Sequence, residues 1–109
     1  MKRLIVIVLV QLVFTASAMA GGNAVAGKEK SQACVACHGE TGVSPTPAFP
    51  NIAGQYEDYL YVSLKGYKSG ERNNAIMSGI VAALSDQDMK DLAAYFASQE
   101  GLFGYGLPE

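Results

Sequence analysis

The sequence predicts a small all-α domain with three main helices and long connections. No stretch alternates apolar and polar residues with the period of two that marks a half-buried strand. Two segments instead repeat bulky apolar residues at steps of three and four, and a third is Ala-rich with charges interleaved. Between them lie stretches too rich in proline and glycine to continue any regular element.

The chain opens MKRLIVIVLVQLVFTASAMAGG. Lys2 and Arg3 form a short basic region, Leu4 to Phe14 is apolar except for Gln11, and Ala18-Met19-Ala20 has the small-x-small form of a cleavage site. Residues 1–20 therefore read as a secretory signal peptide and 21–109 as one domain in the periplasm. The apolar run is shorter than the ~20 residues that span a bilayer, so no stable membrane insertion is expected after cleavage. No cysteine stands at the cleavage site to suggest a lipoprotein. Without Lys2 and Arg3, six basic residues face ten acidic ones. That balance argues against nucleic acid or an anionic membrane as partner and permits docking on a basic patch of another protein. So short a domain needs a covalent or cofactor staple.

The first helix is expected over Ala24 to Ala36, with Gly27 inside it at a cost of about 1 kcal/mol unless another backbone comes close. The segment GETGVSPTPAFPNIAG then carries three prolines and three glycines in sixteen residues and must be a loop. In QYEDYLYVSLKGYKSG, the residues Tyr56, Tyr59, Leu60, Leu64 and Tyr67 make one apolar helical face, and Gly70 stops the helix. Gly66 is not explained by this pattern, and a close contact is expected there. ERNNAIMSGIVAAL reads as an irregular start followed by a short apolar segment. Ser85 before Asp86-Gln87-Asp88 is a capping-box-like opening for the last helix. There Met89, Leu92, Ala93 and Phe96 form the apolar stripe, leaving Lys90 and Asp91 for solvent. The tail GLFGYGLPE receives no element. A bundle with so long a Pro/Gly loop must wrap something.

Both cysteines and the only histidine fall within CVACH: Cys34, Cys37 and His38. A disulfide across two intervening residues would add little loop-closure stabilisation, so a structural staple is a poor use of the pair. On a helix the two thiols share one face and His38 lies close to it. That suits C-x-x-C-H, the attachment motif of c-type haem, in which the thiols form thioethers and the imidazole binds iron. A thiol–disulfide redox site normally opens a helix in a βαβ setting, and no strands are expected. Structural zinc wants four ligands, and no further cysteine or histidine exists to supply one. One covalent haem c also gives the long loop a surface to wrap. On the far side of the iron, Met77 and Met89 remain as candidate thioethers. Met89 lies on the packed stripe, whereas Met77 occupies the irregular NNAIMSG, where gap-filling is its alternative use.

The words CVACHGETG, FPNIAGQ, YKSGERNNAIMSGIVAALSDQDM and DLAAYFASQ resemble the class I c-type cytochromes, within them the single-domain cytochrome c4/c553-like group. The resemblance runs from about Gly27 to Gln99. It implies a small cytochrome c fold around one haem, Cys34 and Cys37 as thioether anchors, and His38 and Met77 as axial iron ligands. It further implies that Pro50 offers its carbonyl to His38, and that the first and last helices cross closely, Gly27 opposite Ala93–Phe96. Cytochrome c4 proper carries two such domains, so a two-haem function does not transfer to one C-x-x-C-H. His/Met ligation fills both axial positions and suits a carrier of single electrons, not an enzyme. Ile52, Ile76, Ile80, Val81 and Leu84 are the candidate haem wall, and Arg72, Tyr56 or Tyr59 candidate contacts for a haem propionate. The leading expectation is a periplasmic shuttle between redox partners such as a membrane oxidase, a reductase complex or a dehydrogenase. The alternatives are an electron-transfer subunit of a larger oxidoreductase, docking through Leu102, Phe103, Tyr105 and Leu107, and a haem ligand sensor or peroxidase with a displaceable sixth ligand.

Overall fold

A computed structural model describes residues 21–101. The expected signal segment, 1–20, and the apolar tail from Leu102 onward lie outside the described residues. Among the described residues there is no strand, and five helices follow in order: α1 (Ala24–Lys30), α2 (Gln32–His38), α3 (Glu57–Ser69), α4 (Ala75–Val81) and α5 (Asp86–Ala97). None of them is long and apolar enough to cross a membrane.

The helix expected over Ala24 to Ala36 is two helices meeting at Ser31. The Ser31 hydroxyl donates to the Lys28 carbonyl at 2.7 Å, and its backbone (φ −80°, ψ 0°) ends one helix and begins the next. A serine hydroxyl that bonds the preceding turn offers the backbone an alternative to continuing the ladder. The break re-aims α2, which runs on to His38. Residues 71–74 are irregular as expected, but the short apolar segment after them is a true helix, α4, which takes in Met77 of the stretch NNAIMSG read as irregular. The Asn74 side chain accepts from the Met77 N–H at 3.0 Å and starts it.

α3 ends at Gly70, whose φ of 85° is the left-handed conformation a glycine supplies. α5 opens with the reciprocal capping box between Ser85 and Asp88. Leu60 of α3 joins Leu92, Ala93, Tyr95 and Phe96 of α5 in the core, with Cys34, Ile52 and Leu84 packed against them. Met89 is buried too, as its place on the stripe requires.

α1 crosses α5 closely. A Cβ on Gly27 would lie 1.9 Å from the Asp91 carbonyl oxygen and 2.8 Å from Tyr95 Cβ, so only glycine admits the crossing. The same crossing corrects the expectation that Asp91 faces solvent: it is 3% exposed. One carboxylate oxygen accepts from the Asn23 backbone N–H and Gln87 Nε2, each at 2.8 Å, and the other from Lys30 Nζ at 2.6 Å. The Lys30 ammonium, then the Asn23 N–H, hold the Asp91 carboxyl down to about 2.

Candidate haem-binding cleft

The segment 39–54 contains no regular element, yet it is tied down along its length. Tyr95 of α5 donates its hydroxyl to the Glu40 carbonyl at 2.8 Å. The Gly42 carbonyl accepts from the Ile52 and Ala53 N–H groups at 2.8 and 3.0 Å, and the Asn51 side chain accepts from the Ser44 N–H at 2.6 Å. Ser44 Oγ also donates to the Cys37 carbonyl at 3.2 Å. These bonds fold the loop back over the end of α2 and bring Pro50 to His38, where the Pro50 carbonyl oxygen lies 2.8 Å from Nδ1. A carbonyl can only accept, so Nδ1 carries the proton and Nε2 keeps its lone pair for a metal.

His38 borders a cleft of about 420 Å³, within the usual range of cofactor sites. α2 contributes Cys34, Cys37 and His38, and the loop contributes Pro50 and Ile52. α3 presents Tyr59, Leu60, Leu64 and Tyr67, four of the five residues of its apolar face. Met77 enters from α4 with Ile76 and Ile80, and Leu92 and Phe96 close the floor from α5. Tyr56 does not line the cleft, and neither do Val81 and Leu84. The chain turns from α4 into α5 just there, which draws Val81 fully into the interior and packs Leu84 on the core.

The donor chemistry fits a haem. Two thiols and an imidazole come from one helix, a thioether from another, and the walls between them are apolar. It does not fit the other readings of CVACH. Burial pushes the Cys34 thiol up, the opposite of the lowered value an exchange nucleophile needs. No group of three or more His, Cys, Asp and Glu side chains among the described residues is arranged to hold a metal ion by itself.

Two features of the site escaped the sequence. The Tyr95–Glu40 tie spans 55 positions and leaves no local trace. Asp91 sits at a helix position whose period points outward, and only the α1 crossing covers it.

A cytochrome c family model matches residues 24–100. Cytochrome c4 of Pseudomonas aeruginosa is 46% identical over 108 residues, covering 99% of this chain and 54% of that protein. Cytochrome c-554(548) of Halomonas halodenitrificans is 46% identical over 82 residues, covering 72% of this chain and 99% of that one. The crystal structure of reduced recombinant cytochrome c4 from Pseudomonas stutzeri superposes with a TM-score of 0.71 at 45% identity, over 75% of this chain and 48% of that one. The chain thus spans about half the length of the cytochrome c4 relatives it matches. It belongs to the cytochrome c family, whose C-x-x-C-H carries covalently attached haem c.

Proposed function

From this membership, we propose that the chain is a one-electron carrier of the periplasm, with residues 1–20 removed on export and 21–109 forming the working domain. In this reading Cys34 and Cys37 anchor one haem c as thioethers, and His38 and Met77 are the axial ligands of its iron. The observation that carries it is the convergence of these four side chains on one apolar cleft, with His38 oriented by the Pro50 carbonyl at 2.8 Å. When bound, the haem supplies a one-electron iron couple.

The chain's own residues supply everything else. The Pro50 carbonyl fixes the His38 tautomer and raises the basicity of Nε2. Asn74 caps α4 and so sets the position of Met77, whose thioether favours the reduced state relative to a second nitrogen. Leu60, Ile80, Leu92 and Phe96 keep water from the cleft floor. Were His38 and Met77 both to hold the iron, neither side would be left open to a substrate, which suits electron transfer. Redox proteins (a membrane oxidase, a reductase complex or a dehydrogenase) are the fitting partners, meeting the domain through small transient interfaces.

The test is a potentiometric titration of the holoprotein and of Met77→Ala, with cyanide uptake followed in parallel. The wild type should titrate as a single one-electron wave, show a far-red iron–thioether charge-transfer band and take up cyanide slowly. Met77→Ala should lose the band, fall in potential and bind cyanide at least tenfold faster. Fast cyanide uptake by the wild type, or an unchanged band in the variant, would overturn the ligand assignment.

A further inference from the structure

α4 carries Met77, yet it is a poor anchor by itself. It has seven residues, fewer than a helix needs to persist alone in water, so its place depends on what it touches. Ala75, Ile76 and Gly79 are exposed, and nothing lies within 4 Å of where a Cβ on Gly79 would stand. Val81, about one turn beyond Met77, is fully interior and pins the far end.

The last turn of α3 supplies the other hold. A helix leaves its final four carbonyls without partners inside the helix, and in α3 these belong to residues 66–69. The Gly66 carbonyl accepts from the Arg72 N–H at 3.0 Å and from Ser69 Oγ at 3.2 Å. The Tyr67 carbonyl accepts from Ser78 Oγ at 3.2 Å, across eleven positions of the chain. One residue on, the Lys68 ammonium donates to the Leu84 carbonyl, just past α4. A serine inside a helix ordinarily turns its hydroxyl to water or back to the carbonyl four positions earlier. Here the Ser78 N–H takes that carbonyl, Asn74's, at 2.9 Å, while the hydroxyl reaches another helix. Tyr67 connects this tie to the cleft: its ring lines the same wall as Met77, and its carbonyl holds the residue after Met77.

We propose that Ser78 is a positioning residue: its hydroxyl, hooked on the Tyr67 carbonyl, holds α4 against α3 and so sets how fast the Met77 thioether leaves the iron. This rests on the ligation proposed above and adds to it what keeps one ligand in place. Asn74 fixes where α4 begins, and Ser78 fixes how firmly it stays. The sign of one substitution separates this role from helix propensity. Ser78→Ala removes the hydroxyl but puts the best helix former into α4. If the helix's own stability governed the ligand, alanine would retain Met77 longer. If the tie governs it, alanine releases Met77 sooner.

The experiment follows imidazole uptake by the ferric holoproteins of the wild type, Ser78→Ala and Ser78→Thr. Imidazole is raised until the rate no longer increases and equals that of thioether departure. Covalent haem, by intact mass, and the far-red iron–thioether band are recorded first. All three proteins should show the band, because the ligand itself is unchanged. Ser78→Ala should then take up imidazole about fivefold faster than the wild type, the factor that about 1 kcal/mol of lost hydrogen bond gives when the tie must break before the ligand leaves. Ser78→Thr keeps a hydroxyl at the same place and should return close to the wild-type rate. An alanine rate equal to or below that of the wild type would overturn the proposal, and so would a threonine variant as fast as the alanine one. The band present in all three with unaltered rates strikes down this inference alone. A wild type that carries haem but lacks the band would remove Met77 from the iron and overturn the ligand reading along with it.

Discussion

Along the seam between α1 and α5 the chain meets itself, and along α3 and α4 it meets the cleft. The seam is closed by glycine backbone against backbone at Gly27 and by Asp91, whose carboxylate binds Asn23, Lys30 and Gln87. The α3–α4 side is apolar and open by comparison. Tyr59 is 53% exposed and Ile76 62%, and Leu60 is the only large side chain of α3 that is buried. Side chains that complement each other form the first region. The second presents residues whose complement, on the functional reading, is the flat face of a cofactor. The difference fits the size of the domain: a chain this short buries a small core of its own, and its remaining apolar surface lines the cleft.

Changes at the seam should therefore cost stability while sparing the iron's surroundings. The largest effect is expected from Gly27→Ala. Its Cβ would sit inside the van der Waals radius of the Asp91 carbonyl, and α1 must lift off, a cost of about 3 kcal/mol in chemical denaturation of the holoprotein. The reduction potential should hardly change, and a shift as large as that of Met77→Ala would break the comparison.

Asp91→Ala removes the acceptor for three donors and should cost about 2 kcal/mol near neutral pH. The pH dependence has a definite sign. The folded carboxyl is held at about 2, below its ordinary 3.8, so the ionised group's stabilisation is present above the higher value and is lost as pH falls towards 2. Thermal melts of the wild type and Asp91→Ala from neutral to strongly acid pH should converge over that window. Curves that stay parallel would remove the clasp from the account.

Tyr95→Phe should have the smallest effect, about 1 kcal/mol, because it deletes one neutral hydrogen bond to Glu40 and keeps the ring. It is the change that joins the two regions, since the bond ties α5 to the loop beyond His38. Hydrogen exchange should show the loss of protection concentrated in residues 40–54. A loss spread evenly over α1 and α5 would assign the bond to the seam instead.

Much of this was legible in the residues because it is local. The Ser85 cap, the Gly70 stop, the Pro/Gly loop and the cluster of Cys34, Cys37 and His38 each announce themselves within a few positions. What could not be read depends on partners far away in the chain. Ser31 is the local exception: its hydroxyl bonds the Lys28 carbonyl where the first helix breaks, but a serine within an Ala-rich helical pattern does not by itself announce a break. Asp91 occupies an outward position until α1 covers it. Val81 and Leu84 are as apolar as Ile76 and Ile80, and only the turn into α5 sends the first pair inward and leaves the second pair on the cleft. Arg72 and Gly66 explain each other, because the Arg72 stem crosses α3 where a Cβ on Gly66 would come within 2.9 Å of its Cγ, whereas in sequence they are a lone charge and a misplaced glycine.

The most direct measurement is the intact mass and pyridine haemochrome spectrum of the chain matured in a host able to attach c-type haem. One haem per chain is expected, retained after denaturation and lost when Cys34 and Cys37 are both replaced by serine. A colourless protein with the mass of the bare polypeptide and two titratable thiols would contradict it.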